Sequence, residues 1–308
     1  MSSEVYREPV DPAADNNPHS YALQMTGRGH RVLEVGCSVG HVTEQLVAAG
    51  NSVVGVEIDP EAAEAAREFA DRVHVVDLDV TSLSDIEHEQ FDVIVFGDVL
   101  EHLRHPDRTL SDALALLAPT GRVIISVPNV AHVDVRLMLL EGRWTYQPTG
   151  LMDNTHLRWF TRESLHELLT DAGLRATRLE RVRIGRFGSD IEFDLDRSRA
   201  DAVAFIEADP EAETFQFVVE AVRHDDHSES GDDVLAPDGD VDWPSLDRAA
   251  LLTEVAGEAA ELRVRVDELE AERRALRAHV EAWENSTLAR ISRPARSVWG
   301  RLRRAMHR

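Results

Sequence analysis

The 308-residue chain contains no lysine, so all 33 of its basic residues are arginine. That absence removes Schiff-base and pyridoxal chemistry, the lysine of a Walker A phosphate loop and the strand lysine of a kinase. A single cysteine, Cys37, excludes an intrachain disulfide and a thiolate zinc cluster. Its place inside a glycine-rich loop suits a small packing residue better than a nucleophile. No apolar run approaches about eighteen residues, and Met1 to Pro18 are polar and acidic, so neither a membrane span nor a secretory signal is expected and the setting is expected to be cytosolic. Positive charge is scarce: 57 acidic residues leave a net charge of −24, which argues against a protein that grips nucleic acid over its whole surface. What remains, 43% hydrophobic residues, is enough for one large α/β domain with an appendage.

The most informative stretch is Arg31 to Gly40, an apolar strand (Val32, Leu33, Val35) that runs into Gly36 and Gly40 and then a helix. Bare backbone at a positive helix end forms a cradle for a nucleotide-like ligand. The spacing departs from G-x-G-x-x-G, which weakens a hydride-transfer reading. After Gly40, Ser52 to Ile58 reads as a buried parallel strand, and Glu57 near its end can accept both hydroxyls of a ribose. From Arg31 onward strands are expected near 31–36, 52–58, 72–78, 91–97 and 121–127, with helices near 40–49, 60–70, 106–117 and 162–172. Such alternation predicts a parallel sheet wound on both faces, with ligands at the carboxyl ends of the strands. Leu174 to Arg183 and Glu213 to Arg223 read as two more strands, with a short helix near 198–208.

These residues resemble the class I S-adenosylmethionine-dependent methyltransferases, in which a glycine-rich first loop, an acid ending the second strand and an acid after the third hold the cofactor. The resemblance implies a Rossmann-like seven-stranded sheet whose last two strands are antiparallel. It also implies that Glu34, Gly36, Ser38, Gly40, Glu57, Asp77 and Leu78 bind S-adenosylmethionine. Ser38 stands where the family usually has glycine; it is small, and its hydroxyl can face the ligand.

A second constellation follows the fourth strand. Asp98, Glu101 and His102 lie at helical spacing, and two carboxylates with an imidazole suit a hard or borderline divalent cation. For an isolated motif of this kind, helix capping and ion pairing rank ahead of a metal. Beyond the fifth strand come Val127 to His132, an expected helix to Glu141, and Asp153 to Thr161. This is similar to the methyltransferase subgroup that includes ubiquinone-pathway O-methyltransferases, enzymes of surface-polysaccharide clusters and small-RNA terminal 2′-O-methyltransferases. The resemblance covers residues 28–183. It implies Asp98, Glu101, His102 and His156 as ligands of Mg²⁺ or Mn²⁺, with Asp98 replacing the family's first glutamate, and His102 or His156 as general base where not a ligand. The insert 130–160, with Arg136, Arg143, Trp144, Tyr146 and Arg158, is expected to roof the acceptor site.

The expected organisation is an N-terminal arm to residue 27, in which 17–25 could form a short helix over the cofactor, and a methyltransferase domain over 28–224. An acidic disordered linker follows over 225–248, with eight acids and no arginine between 225 and 242. Leu252, Val255, Ala259, Leu262, Val266, Leu269, Arg273, Leu276, Val280 and Trp283 then recur at alternating steps of three and four, which predicts a coiled coil over 249–284 and a homodimer through it. Residues 285–308 carry seven arginines and no acid, and suit an anchor on an anionic membrane surface or a tail paired with the protein's own acids. From this architecture the expected activity is O-methylation of a glycan or glycolipid intermediate, next to a quinone-type aromatic diol or an RNA end. A non-catalytic scaffold is the reading from another class.

Overall fold

The computed structural model describes residues 10–193, 200–224 and 232–236, and further on 263–266, 268–269, 271–278 and 282. The chain divides into two compact units, Met1–Trp243 and Pro244–Arg308. In the first, runs of β-branched residues form β1 (Arg31–Val35), β2 (Ser52–Glu57), β3 (Arg72–Val75), β4 (Phe91–Gly97), β5 (Leu117–Pro128), β6 (Leu174–Arg183) and β7 (Thr214–Arg223). Between them lie α1 (Pro18–Thr26), α2 (His41–Ala48), α3 (Pro60–Ala66), α4 (Leu83–Ile86), α5 (Pro106–Leu116), α6 (Val133–Leu140), α7 (Arg162–Asp171) and α8 (Ala200–Glu207). Pro18, Pro60 and Pro106 each open a helix, where a missing N–H costs nothing. Asp59 and Thr161 cap α3 and α7 through their side chains.

The seven strands form one sheet in the order β3-β2-β1-β4-β5-β7-β6. The pairings among β1 to β5 are parallel, whereas β7 is antiparallel to both β5 and β6. Only β7 is therefore reversed, which corrects the expectation that the last two strands both are: β6 runs with the first five, and β7 slots between β5 and β6. Side chains alternate across the sheet. Val32, Val53, Val93, Val95, Ile124 and Val218 pack on one face with Ala22, Met25 and Leu46, while Leu33, Val54, Ile94, Phe96, Val123 and Ile125 pack on the other with Leu110, Leu165 and Leu169.

Three further differences from the sequence reading have local causes. The helix expected over the cofactor is α1, but its Ala22 and Met25 are drawn into the sheet face, and Asn16 fixes its start by bonding the backbone of Arg183. The third strand ends at Val75 rather than 78, because Asp77 turns the chain, its carbonyl accepting from Val80 and Thr81. Within the acidic stretch expected to be disordered, residues 232–236 are docked: Leu235 is fully buried in the core, and Arg162 donates to the carbonyls of Val234 and Ala236 at 3.1 and 3.0 Å. In the second unit the described residues are helical and exposed. The rest of the expected coil, and the whole basic tail at 285–308, lie outside the described residues.

Candidate active site

The cradle is built where β1 and β2 end side by side. Gly36 and Cys37 both donate to the Val56 carbonyl, which swings the loop over the neighbouring strand. Gly36 (φ 80°) and Gly40 (φ 91°) lie in the left-handed region that favours glycine, and Ser38 (φ 48°) is there as well. A Cβ on Gly36 would run into Val99 Cγ2, and one on Gly40 would come within 2.9 Å of the Ala66 backbone. Both glycines are thus required by close approach as well as by conformation.

Glu57 is the hub of this cradle. Its Oε2 accepts from the Ser38 N–H at 2.9 Å, and its Oε1 accepts from the N–H groups of Ile58 and Asp59 at 2.9 Å. Fixed in this way, the carboxylate keeps lone pairs for a ribose diol beside the glycine loop. Glu34 plays another part: it is buried beneath the loop and accepts from the Thr43 hydroxyl at 2.6 Å, joining β1 to the first turn of α2. Burial pushes its pKa up to about 7, against the lowering effect of Thr43 and with a smaller upward push from Glu57. Cys37 is buried against Ala63, Ala66 and Val73, and burial drives its thiol far above the range of a nucleophile. Asp77 stands exposed just past β3, and Leu78 packs against the core.

The contact of Gly36 with Val99 also joins the cradle to the second constellation, since the segment after β4 carries Asp98 and then a 3-10 turn, Leu100–His102. Glu101 is 1% exposed, and its carbonyl accepts from Leu157 at 2.7 Å and Arg158 at 2.9 Å, which draws the segment 153–158 over the turn. Ligand atoms of Glu101, His102 and His156 consequently lie within 4.8 Å of one another. Asp98 stands outside that group: at φ 55° it points its Oδ1 at the Ser126 hydroxyl, 2.7 Å away, and at the Gln216 amide. It braces β4 against β5 and β7, and its charge reaches Glu101 only through space.

The imidazoles are oriented by carbonyls. His156 Nδ1 lies 3.3 Å from the Leu151 carbonyl and His102 Nδ1 lies 3.3 Å from that of Thr155. A carbonyl can only accept, so each Nδ1 is the donor and each Nε2 is left free of that contact. Burial, reinforced by His102, lowers the His156 pKa and favours the neutral ring. Burial, then Asp98, raises the Glu101 pKa well above the carboxylate range, and its Oε2 is buried without a hydrogen-bond partner. A carboxylate with an orphaned oxygen beside two imidazoles fits a divalent cation, which would hold the carboxylate charged and satisfy that oxygen. Asp153, absent from the sequence-based set, makes the local turn: its Oδ1 accepts from the Thr155 N–H at 2.7 Å and hydroxyl at 2.6 Å. An aspartate bonding two residues on is a turn signal readable in Asp153-Asn-Thr-His.

A glycine cradle with an acid beside it at the ends of β1 and β2, on a sheet with β7 reversed beside β5, defines a class I S-adenosylmethionine-dependent methyltransferase. The chain belongs to the methyltransferase-domain family, whose model matches residues 6–179. It is similar to the ubiquinone biosynthesis O-methyltransferase of Rhodopseudomonas palustris (strain BisB5), with 27% identity over 155 residues, 48% of this chain and 60% of that enzyme. To the enzyme of the same name from Coxiella burnetii (strain RSA 331 / Henzerling II) it is 30% identical over 180 residues, 56% of this chain and 75% of that one. The chain spans about three fifths of the length of several such relatives. Among solved structures, the Burkholderia thailandensis 1,6-didemethyltoxoflavin-N1-methyltransferase with bound 1,6-didemethyltoxoflavin and S-adenosylhomocysteine aligns with a TM-score of 0.44 at 23% identity, over 68% of this chain and 80% of that one.

Proposed function

We propose that this methyltransferase transfers the methyl group of S-adenosylmethionine to a hydroxyl of a quinone-type aromatic diol, assisted by Mg²⁺ or Mn²⁺ at Glu101, His102 and His156. The observation that carries the proposal is the buried, unpartnered Glu101 Oε2 in a group whose ligand atoms lie within 4.8 Å of one another. The relatives named as O-methyltransferases of ubiquinone biosynthesis support an aromatic acceptor. The glycan or glycolipid acceptor expected chiefly from the coil and basic tail is the weaker reading, since most of those residues lie outside the described ones. Among the described residues no helix is long and apolar enough to cross a membrane.

In this account Glu57 and the glycine loop fix the cofactor, so that the methyl carbon is held for in-line attack. The acceptor oxygen forms the new C–O bond as the C–S bond breaks, and the sulfonium leaves as the neutral thioether of S-adenosylhomocysteine. Held by Glu101, His102 and His156, a divalent cation would supply Lewis acidity that lowers the proton affinity of the attacking hydroxyl. With His102 and His156 both given to the cation, the hydroxyl proton leaves to solvent as the C–O bond forms. Asp98 acts indirectly, by holding β4 and the turn at Glu101 in register with β5 and β7.

The full-length protein incubated with S-adenosylmethionine and catechol should yield the monomethyl ether and S-adenosylhomocysteine. The yield should fall on chelation and return with Mn²⁺. Turnover indifferent to chelation, or methylation of a methyl glycoside in preference to catechol, would reject the proposal.

A further inference from the structure

The roof over the candidate site contains arginines and aromatic rings, and the structure separates their roles. Arg136 pairs with Asp209 at 2.6 Å, Arg143 pairs with Glu141 at 2.6 Å and donates to the Glu192 carbonyl, and Arg158 donates through Nε to the Arg104 carbonyl at 3.1 Å. All three guanidiniums are committed to protein acceptors. A phosphate drawn to one of them would compete with contacts already made.

The aromatic rings are arranged differently. From the candidate cation ligands outward they form a continuous series: His102 to His156 with centroids 4.9 Å apart, His156 to Trp159 at 5.5 Å, and Trp159 to Trp144 at 5.1 Å, all edge to face. Tyr146 closes the series at 6.4 Å from both tryptophans. The inner end is buried with His156, whereas Trp144 is 39% and Tyr146 53% exposed. The loop that presents them is pinned rather than loose: Gln147 donates to the Met152 carbonyl at 2.8 Å and accepts from Asn154 at 2.9 Å, the same segment that delivers His156. Two large rings are thus held open to solvent beside a third, Trp159, that packs against His156.

We infer that Trp144, Tyr146 and Trp159 are the acceptor's ring subsite, a wall against which a planar, uncharged aromatic ring stacks while adjacent hydroxyls reach Glu101, His102 and His156. The inference rests on the proposed O-methylation of an aromatic diol and adds the residues that recognise its ring, by stacking, and an acceptor without a phosphate on it. Offset or edge-on ring contacts of this kind stabilise by an amount that corresponds to about a tenfold change in affinity.

The test is saturation-transfer NMR on the full-length protein with S-adenosylhomocysteine, using catechol, phenyl phosphate and methyl β-glucoside as probes. Catechol should receive saturation and bind more tightly than the other two. Its Kd should rise about tenfold in Trp144→Ala and in Tyr146→Ala, and recover in Trp144→Phe. The affinity for S-adenosylhomocysteine should stay unchanged in each variant, as expected for substitutions at exposed positions. Catechol binding that ignores these variants, absence of catechol binding to the parent, or tighter binding of either other probe would overturn the inference. Catechol bound at the wall but never methylated would leave the subsite standing and reject the proposed reaction, so the two failures are distinguishable.

Discussion

The backbone N–H of Ser38 donates to Oε2 of Glu57 at 2.9 Å, so the glycine loop after β1 and the acid that ends β2 form one unit. The carboxylate proposed to receive the ribose thereby also fixes the glycine loop beside it. Glu57→Gln keeps the shape but loses the charge, and Glu57→Ala loses both. A hydrogen bond to a charged group is worth about 1.5–3 kcal/mol, so S-adenosylmethionine should bind about 10- to 100-fold more weakly to either variant. Calorimetric titration checks this; unchanged affinity in Glu57→Ala would remove the residue from the cradle.

Gly36 tests the close approach of loop and turn. In Gly36→Ala the new methyl meets Val99 Cγ2, and the residue must hold φ near 80°. Cofactor binding and melting temperature should both fall. Adding Val99→Ala removes the collision but leaves the backbone strain of about 1–2 kcal/mol, so recovery should be partial. Full recovery would mean that conformation at Gly36 is irrelevant.

Glu34 makes folding stability depend on pH. Its folded pKa of about 7 lies above the ordinary 4.5, so the native state binds the proton more tightly than the unfolded chain. The contribution is fully present below pH 4.5 and is lost as pH rises through 7. With the residue almost fully buried, the loss amounts to at most about 3 kcal/mol. Denaturant unfolding should show Glu34→Gln flatter than the parent between these limits and relatively more stable at pH 8. Parallel profiles would contradict a raised Glu34.

The C-terminal helix carries its own expectation. Val266, Leu269 and Leu276 on the predicted seam are 55%, 49% and 66% exposed. A parallel second copy would set Glu258 opposite Arg263, Arg265 opposite Glu270, Glu272 opposite Arg277 and His279 opposite Glu284, none of them like-charged. Light scattering should therefore report a dimer for the full chain and a monomer for Leu269→Asp with Leu276→Asp. A monomeric parent would contradict pairing through this segment.

Much of the fold is legible in local sequence. The glycine loop, the alternation of strands and helices, and the bounds of β6 follow from periodicity and capping. What was not legible depends on distant partners. The direction of β6 is set by pairing with β7, and α1 is claimed by a sheet face built much later in the chain. Leu235 is hidden by its acidic neighbours, since average composition outweighs one buried side chain. At the site, Glu101, His102 and His156 converge as their motifs suggest, because Glu101 ties its own carbonyl to Leu157 and Arg158. Asp98 does not join them, and no local pattern could show this: its oxygen is claimed by Ser126 and Gln216, from two other strands.

The central claim is that Glu101, His102 and His156 bind a divalent cation beside the cofactor. It is tested most directly by titrating Mn²⁺ into chelator-stripped, S-adenosylhomocysteine-loaded protein in a calorimeter. The account predicts one saturable site whose heat disappears in Glu101→Gln and in His156→Ala, while both variants keep their affinity for S-adenosylhomocysteine. No heat in the parent, or the same heat in the variants, would contradict it.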